Sequence, residues 1–345
     1  LALILGVVAA VAIAAGVGVY FAVLRDGGDT ETGSAGKGGG FDNLLSLDPC
    51  SYVQPKQFAE FADSGASSPM IRIEPSGFGA CDVELERSKA FGAGNTVTVH
   101  LEAGRMAQGE LGRVATTVQR GSLQVVTTSD AGQPKCQQYV FRADGVGVRL
   151  SVDTFSMKQS DSLDTLCKIR DAATNAVVDA LDNNRGDRID YPKDSIGGVD
   201  PCSRLDTAEI TAATKAASVT KSPTGPASEC HWETGDYRIT VASELMSESD
   251  PRAHGTDETI AGRTTVMEPS SKKPTCRATV YGRSWDPWLG SHSNYTESYN
   301  DDVSKFVEVT RLYVQLPHTG TGTATDACQT VRTLAAAAWP RLPHN

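Results

Sequence analysis

The chain has 345 residues and carries 42 acidic against 32 basic side chains, a net charge of −10, and a chain of this length holds about two domains of ordinary size. So acidic a balance excludes a protein whose affinity rests on nucleic-acid phosphates, because those need a basic footprint. Its eight cysteines, none separated by the two to four residues of a compact zinc site, read as the disulfide framework of an oxidising compartment.

Residues 1–24 contain no charge, and as a helix they extend about 36 Å, enough to cross a bilayer core with some tilt. The run is longer than the apolar core of a signal peptide, so we expect a retained single-pass anchor ended by Arg25 and Asp26. No cysteine precedes Cys50, which leaves no lipid-modified site next to the anchor. The chain begins at Leu1 rather than Met, so a short cytoplasmic segment is expected ahead of it. Oxidised cysteines then put everything after Arg25 outside the cytoplasm. Residues 25–46 start as Gly, Ser, Thr and Asp with few apolar side chains; such a stretch cannot offset the entropy of ordering and reads as a flexible linker.

Asp48-Pro49-Cys50-Ser51 comes next, and the same four residues recur as Asp200-Pro201-Cys202-Ser203. Each opens a block with four cysteines, Cys50, Cys81, Cys136 and Cys167, then Cys202, Cys230, Cys276 and Cys328. Pro134-Lys135-Cys136 and the residues up to Phe141 align with Pro274-Thr275-Cys276 and the residues up to Tyr281, keeping Pro, Cys, Val and an aromatic in register. The repeat divides the chain into domains at 47–184 and 199–345, with a polar linker over 185–198 that holds Pro192 and a Gly pair.

In chain order, Pro55 and the shared face of Phe58, Phe61 and Ala62 predict a short helix over 55–62. Alternation predicts strands at 96–101, 124–127, 139–141 and 146–152, and a helix with Leu163, Leu166, Ile169, Ala173, Val177 and Leu181 on one side closes the block over 162–181. The second block opens on a capping box, Asp206-Thr207-Ala208-Glu209. Strands come after it at 238–241, 264–266, 278–281 and 307–314, and a helix over 326–339. The fold class expected is α+β: a transmembrane helix, then two similar disulfide-stapled domains, each an antiparallel sheet with helices on one face. Four cysteines allow three pairings and eight allow 105. We expect 50 with 81, 136 with 167, 202 with 230 and 276 with 328, because each bond then staples a helix to a neighbouring strand.

An Asp-Pro-Cys opening, a helix, a Cys-x-Trp (Cys230-His231-Trp232), a mid-strand cysteine and a cysteine in the last helix together resemble a family of secreted actinobacterial proteins and lipoproteins of unknown function. The first block departs from that pattern with Cys81-Asp82-Val83. The sensor domains of some actinobacterial Ser/Thr kinases look similar in carrying two disulfides on an α/β module, though the chain has no kinase segment. The resemblance implies an envelope location and a tandem architecture, and it brings no catalytic residues.

Motifs of catalysis are sparse. The six histidines, His100, His231, His254, His292, His318 and His344, form no His-Glu-x-x-His, so neither metal nor cofactor is expected. Ser270-Ser271-Lys272-Lys273 matches Ser-x-x-Lys, but Pro274 and a strand succeed it where an acylating serine needs a helix start. Arg185-Gly186-Asp187 spells an adhesion tripeptide and Asn294-Tyr295-Thr296 a glycosylation sequon, both cheap matches. Asp182, Asn184, Asp187 and Asp190 lack the closing Glu of a calcium loop.

The second block is longer between its third and fourth cysteines, where Trp285, Trp288, His292 and Tyr295 lie. Insertions on a rigid scaffold often bind, and Trp and Tyr are enriched where they do, which makes these four the candidate binding residues. Trp232 reads as core. The function expected is a membrane-anchored extracytoplasmic binding or sensor protein of the cell envelope, without catalysis. Its partner is an envelope protein or ligand and not nucleic acid. The alternatives are a cell-envelope hydrolase built from residues such as His231, His292 or Asp286, and a carrier of an apolar envelope molecule.

Overall fold

The computed structural model describes residues 44–62, 71–86, 96–106, 115–130, 133–154, 163–183, 185–222, 224–248, 254–270, 274–285, 306–316 and 322–343. The apolar run over 1–24 and residues 25–43 of the expected linker lie outside the described residues. The linker's last three residues, Leu44–Ser46, form a 3-10 turn that burial of Leu45 holds in place, not a flexible stretch. No described helix is long and apolar enough to cross a membrane.

Two antiparallel sheets dominate the fold. The first block supplies β1 (Ile71–Gly77), β2 (Ala80–Glu86), β3 (Thr96–Arg105), β4 (Ala115–Arg120), β5 (Leu123–Asp130), β6 (Gln133–Phe141) and β7 (Val146–Thr154), then α1 (Leu163–Asp182). The second block supplies α2 (Thr207–Thr214), β8 (Thr220–Lys221), β9 (Gly225–Pro226), β10 (Glu229–Glu233), β11 (Arg238–Ser247), β12 (Thr256–Ile260), β13 (Arg263–Pro269), β14 (Thr275–Trp285) and β15 (Phe306–Gln315), then α3 (Ala324–Ala338). The strand orders are β1-β2-β3-β7-β6-β5-β4 and β8-β10-β11-β15-β14-β13-β12, one topology used twice. Register agrees as well as order. Cys81 faces Leu101, which faces Leu150, which faces Gln138. Cys230 faces Val241, which faces Leu312, which faces Ala278.

Alternation explains the strands. Along β3 the side chains of Val97, Val99, Leu101 and Ala103 are buried, while Thr98, His100 and Glu102 take the other face. The inward rows of β3 and β7 meet Ile169, Ala173 and Val177 of α1, which recur every fourth residue and so share one helix face. In the second block Val331, Leu334, Ala335 and Ala338 of α3 fill the same role over β13, β14 and β15. The capping box expected at Asp206 and Glu209 starts α2, each backbone N–H bonded to the other's side chain at 2.8 and 2.9 Å.

The four disulfides join Cys50 to Cys81, Cys136 to Cys167, Cys202 to Cys230 and Cys276 to Cys328, the pairing expected, and no described bond crosses between blocks. The Asp-Pro-Cys-Ser motif has one job in both copies. Asp48 and Asp200 each accept a hydrogen bond from the backbone N–H of their own block's first cysteine, at 3.0 and 2.8 Å. Ser51 and Ser203 each donate back to that Asp carbonyl, at 2.7 and 2.6 Å. Proline supplies the fixed φ of the 3-10 turn between them. The cysteine is thereby aimed at its strand.

One expected element is corrected. Residues 55–62 form a 3-10 turn, Pro55–Gln57, continued by turns, and no α-helix. The segment is too short to propagate a helix, and burial of Phe58 and Ala62 holds it instead.

The stretch over 185–198, expected as a linker, is fastened at both ends. Asp48 donates its N–H to the Asp187 carbonyl at 3.2 Å, Ile189 donates to Ser46 at 2.8 Å, and the Tyr191 hydroxyl donates to the Leu45 carbonyl at 2.6 Å. Farther on, the Ile196 N–H meets the buried Glu308 carboxylate at 3.0 Å and the Ser195 hydroxyl meets its other oxygen. Gly197 packs so tightly on Phe78 that a Cβ would lie 2.3 Å from the ring. The adhesion-like tripeptide belongs to this strap, where a Cβ on Gly186 would strike Tyr52.

Candidate functional site

The two sheets meet at a strand that leaves the second block and enters the first. β9 pairs antiparallel with the end of β3, Gly104 facing Pro226 and Arg105 facing Gly225, and the Ala227 N–H donates to the Ala103 carbonyl at 2.9 Å. Only glycine fits at 104, because a Cβ there would lie 2.5 Å from the Gly225 carbonyl oxygen.

Beside this graft lies a cleft of about 280 Å³, walled by residues of both blocks. The first block contributes Glu102, Arg105, Met106, Tyr139 and Arg149, and the second contributes Ser222, Thr224, Pro226 and His231. The strand period places the charged ones. Glu102 and Arg149 sit directly opposite on β3 and β7, on the face turned away from α1, and Tyr139 is opposite Arg149 on β6. Met106 and Tyr139 rest against buried Val126 and Phe141.

Arg149 is paired to Glu102 through Nη2. Burial pushes the Glu102 carboxyl above its ordinary range; the Arg149 guanidinium opposes that shift and the Glu229 carboxylate adds to it. Across the cleft, His231 Nε2 is 2.9 Å from Glu229 Oε2 and its Nδ1 is 2.9 Å from Thr240 Oγ1. Ser222 donates its N–H to the His231 carbonyl at 2.8 Å and its hydroxyl to the Thr224 carbonyl at 3.1 Å, which fixes the hydroxyl-bearing turn over the cleft.

Of the site residues expected from the sequence, Trp285 ends β14 with its backbone opposite Phe306, and Trp288, His292, Tyr295 and Asp286 lie outside the described residues. Among the described residues, His231, named for the hydrolase alternative, is the one of these that lines the cleft. Trp232, expected as core, is 1 % exposed. Sequence reasoning missed Glu102, Tyr139 and Arg149. The signal was in the repeat, since Val148-Arg149-Leu150 and Thr310-Arg311-Leu312 occupy equivalent places, and each arginine pairs with a glutamate of the neighbouring strand, Glu102 or Glu244. Among the described residues no cluster of His, Cys, Asp and Glu has the makings of a metal site.

No family model and no curated protein matches this chain. Among solved structures, the di-domain aromatase/cyclase StfQ of the steffimycin biosynthetic pathway aligns at 10% identity over 86% of this chain and 97% of its own, with a TM-score of 0.15. MucB in complex with the periplasmic part of MucA aligns at 10% identity over 76% of this chain and 85% of its own, with a TM-score of 0.13. Scores so low do not establish a shared fold, and neither neighbour bears on function.

Proposed function

We propose that this chain is a membrane-anchored, extracytoplasmic binding or sensor protein of the cell envelope, that it works without catalysis, and that the cleft between its blocks is where it binds. The observation that carries the reading is the composition of that cleft: charged and hydroxyl side chains from two separately stapled cores converge on one small concave space. Four disulfides support an oxidising compartment, and the uncharged run over 1–24 supports an anchor. The expectation that Trp285, Trp288, His292 and Tyr295 bind an envelope protein rests on the sequence alone.

A second reading, an envelope hydrolase, has one observation in its favour. His231 lines the cleft with a carboxylate and a hydroxyl within hydrogen-bond reach. That trio is also what one face of two adjacent strands produces, because Thr240 is the direct cross-strand neighbour of His231 and Glu229 is two residues before it. The carrier reading calls for a large apolar cavity, and this cleft is small and lined with charge.

Small-molecule capture separates the readings. The full chain in native membranes is incubated with envelope extract, and bound molecules are identified by mass spectrometry against the double variant Arg149→Ala/His231→Ala. A species held by the parent and lost from the variant supports the binding protein. A species consumed with appearance of a product supports the hydrolase, and identical capture by both proteins overturns the cleft as the site.

A further inference from the structure

We propose, building on the reading of the cleft as a binding site, that it takes a small organic carboxylate, gripped by Arg149 and seated with its apolar part on Met106 and Pro226. Two guanidinium groups, Arg105 and Arg149, line the space against one carboxylate, Glu102. With the Glu229 carboxylate held behind His231, the two cations are balanced, in a chain whose overall charge is −10. The cleft therefore offers an anion two guanidinium partners where the surface as a whole is acidic.

Arg149 is equipped for this. It engages Glu102 through Nη2, and its Nε and Nη1 make no hydrogen bond among the described residues. The planar fork of a guanidinium matches a carboxylate two bonds at a time, so Arg149 can keep Glu102 on one edge and take a ligand on another. The equivalent Arg311 is engaged differently, with Glu244 at Nη1 and the Met246 sulfur 3.0 Å from Nη2. Arg311 thus has both terminal nitrogens engaged and its Nε buried without a partner, while Arg149 keeps a terminal nitrogen to offer.

Size and shape restrict the ligand further. A space of about 280 Å³ falls just below the roughly 300–1,000 Å³ of sites for drug-sized molecules, which suits a single small acid. Ser222 and Thr224 bring hydroxyls to the same wall, while Met106, Tyr139 and Pro226 give the apolar floor. Glu102 is the group the ligand must tolerate. It competes for Arg149 and repels an incoming carboxylate, so its removal should strengthen binding.

The chain's five methionines provide the readout, because Met106 lines the cleft while Met267 is buried in the second core. The full chain in micelles, labelled at its methionine methyls, is titrated with benzoate, then with benzamide and benzylamine of similar size and different charge. Benzoate is expected to move the Met106 signal and leave Met267 in place, with benzamide and benzylamine weaker. Arg149→Met should weaken benzoate about tenfold or more, the loss of a charge-assisted pair, and Glu102→Gln should tighten it. If benzamide or benzylamine moves Met106 as strongly as benzoate, the carboxylate assignment is overturned while the cleft stands as a binding site. If none of the three moves Met106, the cleft reading falls with it. If benzoate binds but Glu102→Gln and Arg149→Met leave its affinity unchanged, the assignment to Arg149 is overturned.

Discussion

The two blocks share strand order, register, disulfide pairing and the Asp-Pro-Cys-Ser turn, yet they differ at the places where they meet. The first block closes its β2 to β3 neighbourhood with Asp82 and His100, whose Nδ1 lies 2.8 Å from the carboxylate. The second has His231 at the position of Asp82 and Thr240 at that of His100, with the contact kept at 2.9 Å. Between β8 and β10 the second block inserts the short β9, which has no counterpart in the first among the described residues and pairs with β3. A duplicated module keeps its covalent frame and core, and it diverges on the face where the copies join; that is where new chemistry can arise without loss of the fold.

The largest effects should come from the shared frame and should be alike in both blocks. The Cys136–Cys167 and Cys276–Cys328 bonds close stretches of 31 and 52 residues, and the chain-entropy model gives each about 4 kcal/mol, with little difference between them. Replacing either pair by alanine should lower the denaturant midpoint to a similar degree. A loss confined to one block would mean that the copies are not held in the same way.

Trp232 sharpens the comparison, because its counterpart in the first block is Val83; both come two residues after their strand's cysteine and both are buried. Trp232→Val, which writes the first block's residue into the second, should cost about 2 to 4 kcal/mol in chemical denaturation through the cavity it leaves. Gly104→Val attacks the seam alone. With no room for a Cβ beside Gly225, it should cost about 1 to 3 kcal/mol and release β9 from β3, visible as faster amide exchange at Ala227.

The smallest effect is a pH dependence that belongs to the first block. The hydrogen bond to Asp82 raises the His100 pKa above its ordinary 6.5, with burial opposing and the charges of Asp82 and Asp153 assisting. A folded pKa above the unfolded value gives stability that is whole below pH 6.5 and is lost as pH rises through the folded value. The imidazole is 38% exposed, so the loss should stay below about 1 kcal/mol. His100→Gln should flatten the fall in denaturant midpoint measured from pH 6 to pH 9.

Much of the frame was legible because its signals are local. Cysteine order revealed the repeat, alternation revealed β3, β7, β11 and β15, and Asp206 with Glu209 marked α2. What escaped was set by surroundings. β4 has exposed side chains over Thr116–Arg120 and so shows no inward row, β1 contains Pro75 and Gly77, and β9 is two residues whose pairing exists only because β3 is there. The cleft escaped for the same reason. Glu102 and Arg149 read singly as the solvent face of their strands, and they become a wall only when a second block, far along the chain, lies beside them.

The strand that passes from the second block into the first sheet is what makes one cleft out of two blocks. Hydrogen exchange of the intact chain under native conditions measures it at the Ala227 amide, whose partner is the Ala103 carbonyl 2.9 Å away. Protection at Ala227 comparable to that of the β3 interior is the predicted result. Exchange at the rate of an unbonded surface amide would contradict it and separate the two blocks that form the cleft.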